Sequence, residues 1–205
     1  PDTGMAGASR SLYMDGNATI IAANKLLAAM RKEDGTLRTY DEMKAEGIET
    51  KYLGRYETNT TPGLCRLDPN TGIGDPTPAF TYCLNLAEVE VDTKTGKTTV
   101  LKFTCVDFVG RIGNIDAVNG QAYSGIMHGI GFALKEDYAD VKKHANMFGA
   151  GTSYIKDVPD DINLIHIDGA ISDGPFGSSG ASEAFQASGH CAVLNGIYNA
   201  CGVRI

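Results

Sequence analysis

The stretch "GPFGSSGASEAF", Gly174 to Phe185, carries one carboxylate, Glu183, behind a run of residues with almost no side chain. Glycine and serine leave backbone N–H groups uncovered. Such a run can move freely as a linker, cradle an anion on its amides, or bring an acid against a bound group. A standard nucleotide motif is absent, because the run has no P-loop lysine and does not follow G-x-G-x-x-G. The serine elbow of hydrolases fails as well, since Ala181 stands where its last glycine belongs. On these residues alone the three readings stay open.

Other reactive side chains give weaker signals. His128, His144, His166 and His190 are far apart and show no H-E-x-x-H spacing, so each is read as structural or surface. Cys65, Cys83, Cys105, Cys191 and Cys201 are odd in number and form no C-x-x-C pair. They are expected to be reduced, partly buried thiols, and the compartment cytoplasmic. Asp107 and Asp116 are taken as turn or cap residues. With a net charge of −7 and scattered Lys and Arg, the chain is not expected to bind nucleic acid. It contains no apolar run of membrane-spanning length. It opens on the loop-like "PDTGMAGASR" and stops at "ACGVRI", directly after a helix-closing glycine, which reads as a piece of a longer polypeptide.

Elements that position these residues can be read from periodicity. "GNATIIAANKLLAAMRKEDG" carries Ile20, Ala23, Leu27 and Met30 at helical spacing, widened by Ile21 and Leu26, with Asn17 as expected cap and Lys32 near the end. Thr39 and Glu42 have capping-box spacing before a short helix closed by Gly47. A long irregular connection rich in Thr, Pro, Gly and Asn follows, to about Phe80. "FTYCLNLAEVEV" and "TTVLKFTCVDFV", joined by "DTKTGK", predict an antiparallel hairpin with one wet face, Leu84, Ala87, Val89 and Val91 being expected on the covered one.

"NGQAYSGIMHGIGFAL" has helical composition interrupted by glycines, which calls for close approach of another helix or a ligand to its backbone. A strand, "INLIHID", precedes the glycine-rich loop. A last helix follows with Val193, Leu194, Ile197 and Ala200 on one face, Ser188 as cap and Gly202 past its end. The order fits an α+β fold, a sheet packed with helices.

Four segments in this order, "PDTGMAGASR", "NGQAYSGIMHGIGFAL", "DGPFGSSGASEAF" and "AVLNGIYNACGVRI", resemble the C-terminal molybdenum-cofactor-binding region of the xanthine oxidase family of molybdenum hydroxylases, with bacterial aldehyde oxidoreductases as the nearest likeness. "EMKAEG", "VDTKTGK", "KEDYADVKKH" and "IKDVPDD" extend the resemblance across nearly the whole chain. It implies an antiparallel or mixed sheet with helices, residues 1–205 forming the C-terminal part of a molybdopterin-binding region, and a molybdenum–molybdopterin cofactor, expected in its cytosine dinucleotide form. The metal is then held by the pterin's own sulfurs, with no protein ligand.

The resemblance also implies site residues: Glu183 as the catalytic base, and cofactor contacts at Gly7, Ala8 and Ser9, at Gln121 as the start of the glycine-rich helix, and at Gly180, Ala181 and Ser182. Ser182 replaces a glycine usual in the family. The implied reaction oxidises aldehydes to carboxylic acids with oxygen from water, and electrons leave through iron–sulfur clusters in other segments or partner subunits. The implied partners are the rest of the polypeptide, a small-molecule aldehyde and a second copy in a homodimer. The alternatives are hydroxylation of purines or other N-heterocycles, and a catalytically silent member in which Glu183 only caps a helix.

Overall fold

The computed structural model describes residues 6–58, 67–74 and 77–205. Cys65 and the first five residues of the opening motif lie outside them. The chain divides into two compact units, one comprising Pro1–Phe80 with Ser172–Ser179, the other Thr81–Ile171 with Gly180–Ile205.

In the first unit a π-helical turn over Ser11–Asp15 runs directly into helix α1, Gly16–Met30. Asn17 therefore caps nothing. It lies inside the helix, and its Nδ2 donates to the Asp173 carbonyl at 2.9 Å. The apolar stripe of α1 forms as its spacing predicts, yet none of its side chains is buried and Leu27 is 39% exposed. Lys32 serves as an ion-pair partner, 2.8 Å from Glu42. Helix α2, Tyr40–Ala45, has the full capping box. The Glu42 amide donates to Thr39 Oγ1, and the Glu42 carboxylate takes the Thr39 amide. Gly47 follows at φ +69°, the left-handed turn glycine allows. From there to Phe80 the described residues form neither helix nor strand.

The second unit is built on a three-stranded mixed sheet. Strands β1, Tyr82–Val91, and β2, Thr98–Phe108, form the expected hairpin, with a bulge after Glu88. Helices α3, Ile115–Leu134, and α4, Met147–Ala150, follow, and then strand β3, Asp161–His166, pairs parallel to β2. The chain ends in a short helix α5, Ala184–Ala187, and helix α6, Gly189–Cys201. Phe103, Cys105 and Val100 of β2 meet Ile126 and Ile130 of α3, Phe185 of α5, and Val193 and Ile197 of α6 in one apolar core.

Several expectations shift here. Pleating puts Leu84 with Tyr82 and Leu86 on the uncovered face, so Leu84 is 63% exposed rather than covered, and that face is largely apolar at this end. Helix α3 begins at Ile115, where Asn114 Oδ1 accepts the Ala117 amide, so Gln121 lies in the second turn and not at the helix start. In α6, Val193 and Ile197 are buried as expected but Ala200 is exposed. Ser188 holds the cap position without capping, because its hydroxyl accepts from Asn85 Nδ2 at 2.8 Å. Gly202 closes α6 at φ +73°. The four described cysteines are free; Cys105 is buried and Cys191 exposed. Among the described residues no helix is long and apolar enough to cross a membrane.

The glycines of α3 are resolved by packing. A Cβ on Gly125 would lie 2.5 Å from Phe185 Cβ and 2.8 Å from its carbonyl carbon, and one on Gly129 would lie 3.0 Å from Gly189 Cα. The object that comes close is protein backbone. Gly120, by contrast, has nothing within 4 Å of such a Cβ. Gly125→Ala should therefore destabilise the intact protein by about 1–3 kcal/mol through overpacking. Gly120→Ala should stabilise it by about 0.5–1 kcal/mol. Denaturant midpoints of the two variants check this, and a Gly125→Ala protein as stable as the parent would contradict the close contact.

A second prediction concerns pH. The Lys32 ammonium, then the Thr39 amide, hold the Glu42 carboxyl down at about 2. A depressed acid lends stability that is present above its unfolded value and lost as pH falls through the folded one. An NMR titration of Glu42 should give a midpoint near about 2; a midpoint at the usual value of 4.5 would refute the arrangement.

Candidate functional site

The predicted site residues fall in both units, and the chain passes from the first to the second between Ser179 and Gly180, inside the glycine-rich loop itself. Each half is described by itself.

In the first unit Gly7 and Ala8 are exposed and Ser9 is half-buried. Ala8 has φ +48° and Ser9 φ +58°, a left-handed conformation that residues with a Cβ seldom adopt. The Gly7 carbonyl accepts the Arg10 amide and the Ser9 carbonyl accepts the Tyr13 amide, so the strained pair leads straight into the helical run. A Cβ on Gly7 would meet nothing within 4 Å. The result is open space beside backbone amides ahead of a long helical run, where an anion is favoured.

Ser172–Ser179 belong to this same unit and are packed, which rules out the flexible-linker reading for that part of the loop. Gly174, Pro175, Ser178 and Ser179 are buried. A Cβ on Gly16 would run into Pro175 Cγ, and Ser179 Oγ donates to the Phe80 carbonyl at 3.0 Å. At the tip Phe176 takes φ +55° and is 81% exposed. Burial first, and then the hydroxyl of Tyr56, push Tyr13 beneath this loop up to about 12.

In the second unit Gly180, Ala181 and Ser182 are half-buried, and Glu183 is exposed. The Thr81 hydroxyl donates to the Gly180 carbonyl and ties down the loop's entry. Glu183 sits at the cap position of α5 with φ −76° and makes no side-chain cap bond; only its carbonyl accepts, from the Gln186 and Ala187 amides at 3.1 Å. Phe185, wholly buried, anchors the turn that presents it.

Gln121 is also exposed. It lies one turn before Gly125 on the same face of α3, since residues four apart stack along a helix. Gly125 faces Phe185 and Gln186, and Gly129 faces Gly189 and His190, so a step of four on α3 matches a step of four on the other chain segment. Gln121, the small residues Gly180, Ala181 and Ser182, and Glu183 all belong to the second unit. Among the described residues no three His, Cys, Asp or Glu side chains are placed to hold a metal ion.

A polar cluster that sequence reading missed lies in the same unit. Asp107 is neither turn nor cap: it is 1% exposed on β2, with Oδ2 2.6 Å from His166 Nδ1 on β3, its register partner. His166 Nε2 is 2.7 Å from Asn119 Oδ1 on α3. Burial pushes the Asp107 carboxyl up, partly offset by the His166 hydrogen bond. Asp116 lies in the first turn of α3, but Asn114 is the cap. Asp107 and His166 are 59 positions apart, so only the parallel β2–β3 register could have revealed the pair.

Comparison with known proteins follows the same lines. The family model of the molybdopterin cofactor-binding domain matches residues 1–159. Aldehyde oxidoreductase of Megalodesulfovibrio gigas is 42% identical over 205 residues, all of this chain and 22% of that protein. The solved aldehyde oxidoreductase from Desulfovibrio desulfuricans superposes with a TM-score of 0.88 at 43% identity, again over the whole chain and 22% of the other. A probable hypoxanthine oxidase of Escherichia coli (strain K12) is 30% identical over 132 residues, 62% of this chain and 14% of that protein. The chain therefore spans about a fifth or less of the length of these relatives. The mixed sheet with helices is the fold of the aldehyde oxidoreductase region it matches.

The Thr81 hydrogen bond carries a prediction. Thr81→Val removes the donor to the Gly180 carbonyl at a cost of about 0.5–1.5 kcal/mol. It should speed amide exchange at Ala181–Glu183 while leaving that of β1 unchanged. Unchanged exchange in the loop would show that Thr81 does not hold it.

Proposed function

We propose that this chain, which belongs to the molybdopterin cofactor-binding domain family, is the C-terminal part of the cofactor-binding region of a xanthine oxidase-type molybdenum hydroxylase that oxidises aldehydes to carboxylic acids with oxygen from water. The observation that carries the reading is the exposed Glu183, whose carboxylate has no hydrogen-bond or ion-pair partner among the described residues, at the end of a run of small side chains. When bound, the molybdenum–molybdopterin group supplies the acceptor for the electrons removed from substrate.

The residues fit such a group. In the first unit, open space at Gly7 and left-handed Ala8 and Ser9, and in the second, the small half-buried side chains of Gly180, Ala181 and Ser182, each allow an anionic ligand to approach backbone. Gln121 offers an amide with no partner among the described residues and would hydrogen-bond the pterin. Glu183 would act as general base, taking through a carboxylate oxygen the proton of the water-derived oxygen that attacks the substrate carbon. Its missing cap bond favours this role over a purely structural one.

The cytosine dinucleotide form of the cofactor, iron–sulfur clusters in other segments or partner subunits, a homodimer and a cytoplasmic location complete the proposal. The likeness to a probable hypoxanthine oxidase supports a second reading, in which the same base serves a purine or another N-heterocycle. The segment alone is expected to be inactive.

Glu183→Gln in the complete enzyme should lower kcat/KM for aldehydes by about 10²–10⁴-fold, the usual contribution of a general base. Cofactor content should be unchanged. Activity retained within a factor of a few would remove Glu183 from the chemistry.

A further inference from the structure

We infer that Asp107, His166 and Asn119 form a positioning relay that sets the rotation of the first turns of α3 and thereby aims Gln121. The inference rests on the reading of Gln121 as a pterin contact. The relay crosses three elements of one unit: β2 supplies the carboxylate, β3 the imidazole and α3 the amide, through contacts of 2.6 and 2.7 Å. Its root is fixed, because the Asp107 side chain is wholly buried and its strand lies in the middle of the sheet. Its tip is Asn119, half-buried, two residues before Gln121.

Side chains two apart on a helix diverge by about 200° at 3.6 residues per turn. Holding Asn119 inward on the sheet side therefore turns Gln121 outward, where it is exposed. At this end of α3 Ala122 and Val118 pack on the core, and the contacts of Asn119 add a polar constraint beside them. The Gly125 and Gly129 contacts lie one and two turns further on, and Gly120, between Asn119 and Gln121, touches nothing that would hold it.

Asparagine suits the tip for a chemical reason. With Nδ1–H given to Asp107, the other ring nitrogen donates to the Asn119 carbonyl when the imidazole is charged. When the imidazole is neutral, that nitrogen accepts from the Asn119 amide once the amide turns over. A leucine or alanine could do neither. Asp107 Oδ1 has no hydrogen-bond partner among the described residues, so the carboxylate is committed to His166 through its other oxygen alone.

The test uses the full-length, cofactor-loaded protein and reads the rate at which molybdopterin is lost on prolonged dialysis, together with the unfolding midpoint. Gln121→Ala, Asn119→Leu and His166→Gln should each speed the loss about 10-fold, the lower end of what removing a supporting hydrogen bond does to a bound metal group. The double variant Asn119→Leu/Gln121→Ala should lose cofactor no faster than Gln121→Ala, because both changes act through one contact. His166→Gln breaks the same link from the strand side, so a fold defect at one position cannot by itself produce the pattern.

Multiplying effects in the double variant would overturn the relay in favour of a general structural role. If Gln121→Ala speeds the loss while Asn119→Leu and His166→Gln do not, the relay alone is wrong. If Gln121→Ala leaves retention unchanged, the assignment of Gln121 falls and the relay falls with it, while the role of Glu183 stands or falls on its own variant.

Discussion

The approach of α3 to the backbone of α5 and α6 at Gly125 and Gly129 is the contact on which the second unit's half of the site depends. Any side chain at these two positions would push the helices apart, since a Cβ on Gly125 already overlaps Phe185. With glycine there, Phe185 and Val193 reach the core beside Ile126 and Ile130, and the short α5 is held by a single deep anchor. The four-residue step shared by the two chain segments then sets which residues stand level with which. Glu183 is exposed because Phe185, two residues later, is wholly buried and fixes the turn between them.

Polar contacts complete what packing begins. The Thr81 hydroxyl secures the loop's entry at Gly180, and the buried Asp107–His166 pair ties the two parallel strands beside it. Such a pair is costly to bury and is kept only where its hydrogen bonds are made, so its place near the first turns of α3 has structural weight. In the first unit the corresponding constraint is conformational: Ala8 and Ser9 hold a backbone that glycine would adopt more readily, directly before a helix. Strain of this kind persists where surrounding structure fixes it, and it clusters at ligand-binding sites.

Much of the fold was legible because local rules coincide with it. Alternation marked β1 and β2, the Thr39–Glu42 spacing marked α2, and Gly202 marked the end of α6, each a signal carried by neighbours in sequence. Where tertiary context decides, the reading failed. Leu84 looks like a core residue but the pleat turns it outward, and α1 has an apolar stripe of which no residue is fully buried. Asn17 looks like a cap only because the π-helical turn ahead of α1 has no sequence mark, and the true start of α3 at Ile115, capped by Asn114, is hidden by the glycines around it. Of the site, the isolation of Glu183 was visible as a lone acid in a bare loop, while its role came from resemblance. The pairing of Asp107 with His166 needs the register of strands far apart in the chain.

The central proposal is that residues of each unit contact a molybdopterin group, as membership of the molybdopterin cofactor-binding domain family suggests. The most direct measurement is the molybdenum and pterin content of the complete protein, purified from cells that make the cofactor. The account predicts both, in equal amount and retained through purification. A correctly folded complete protein carrying neither would contradict it.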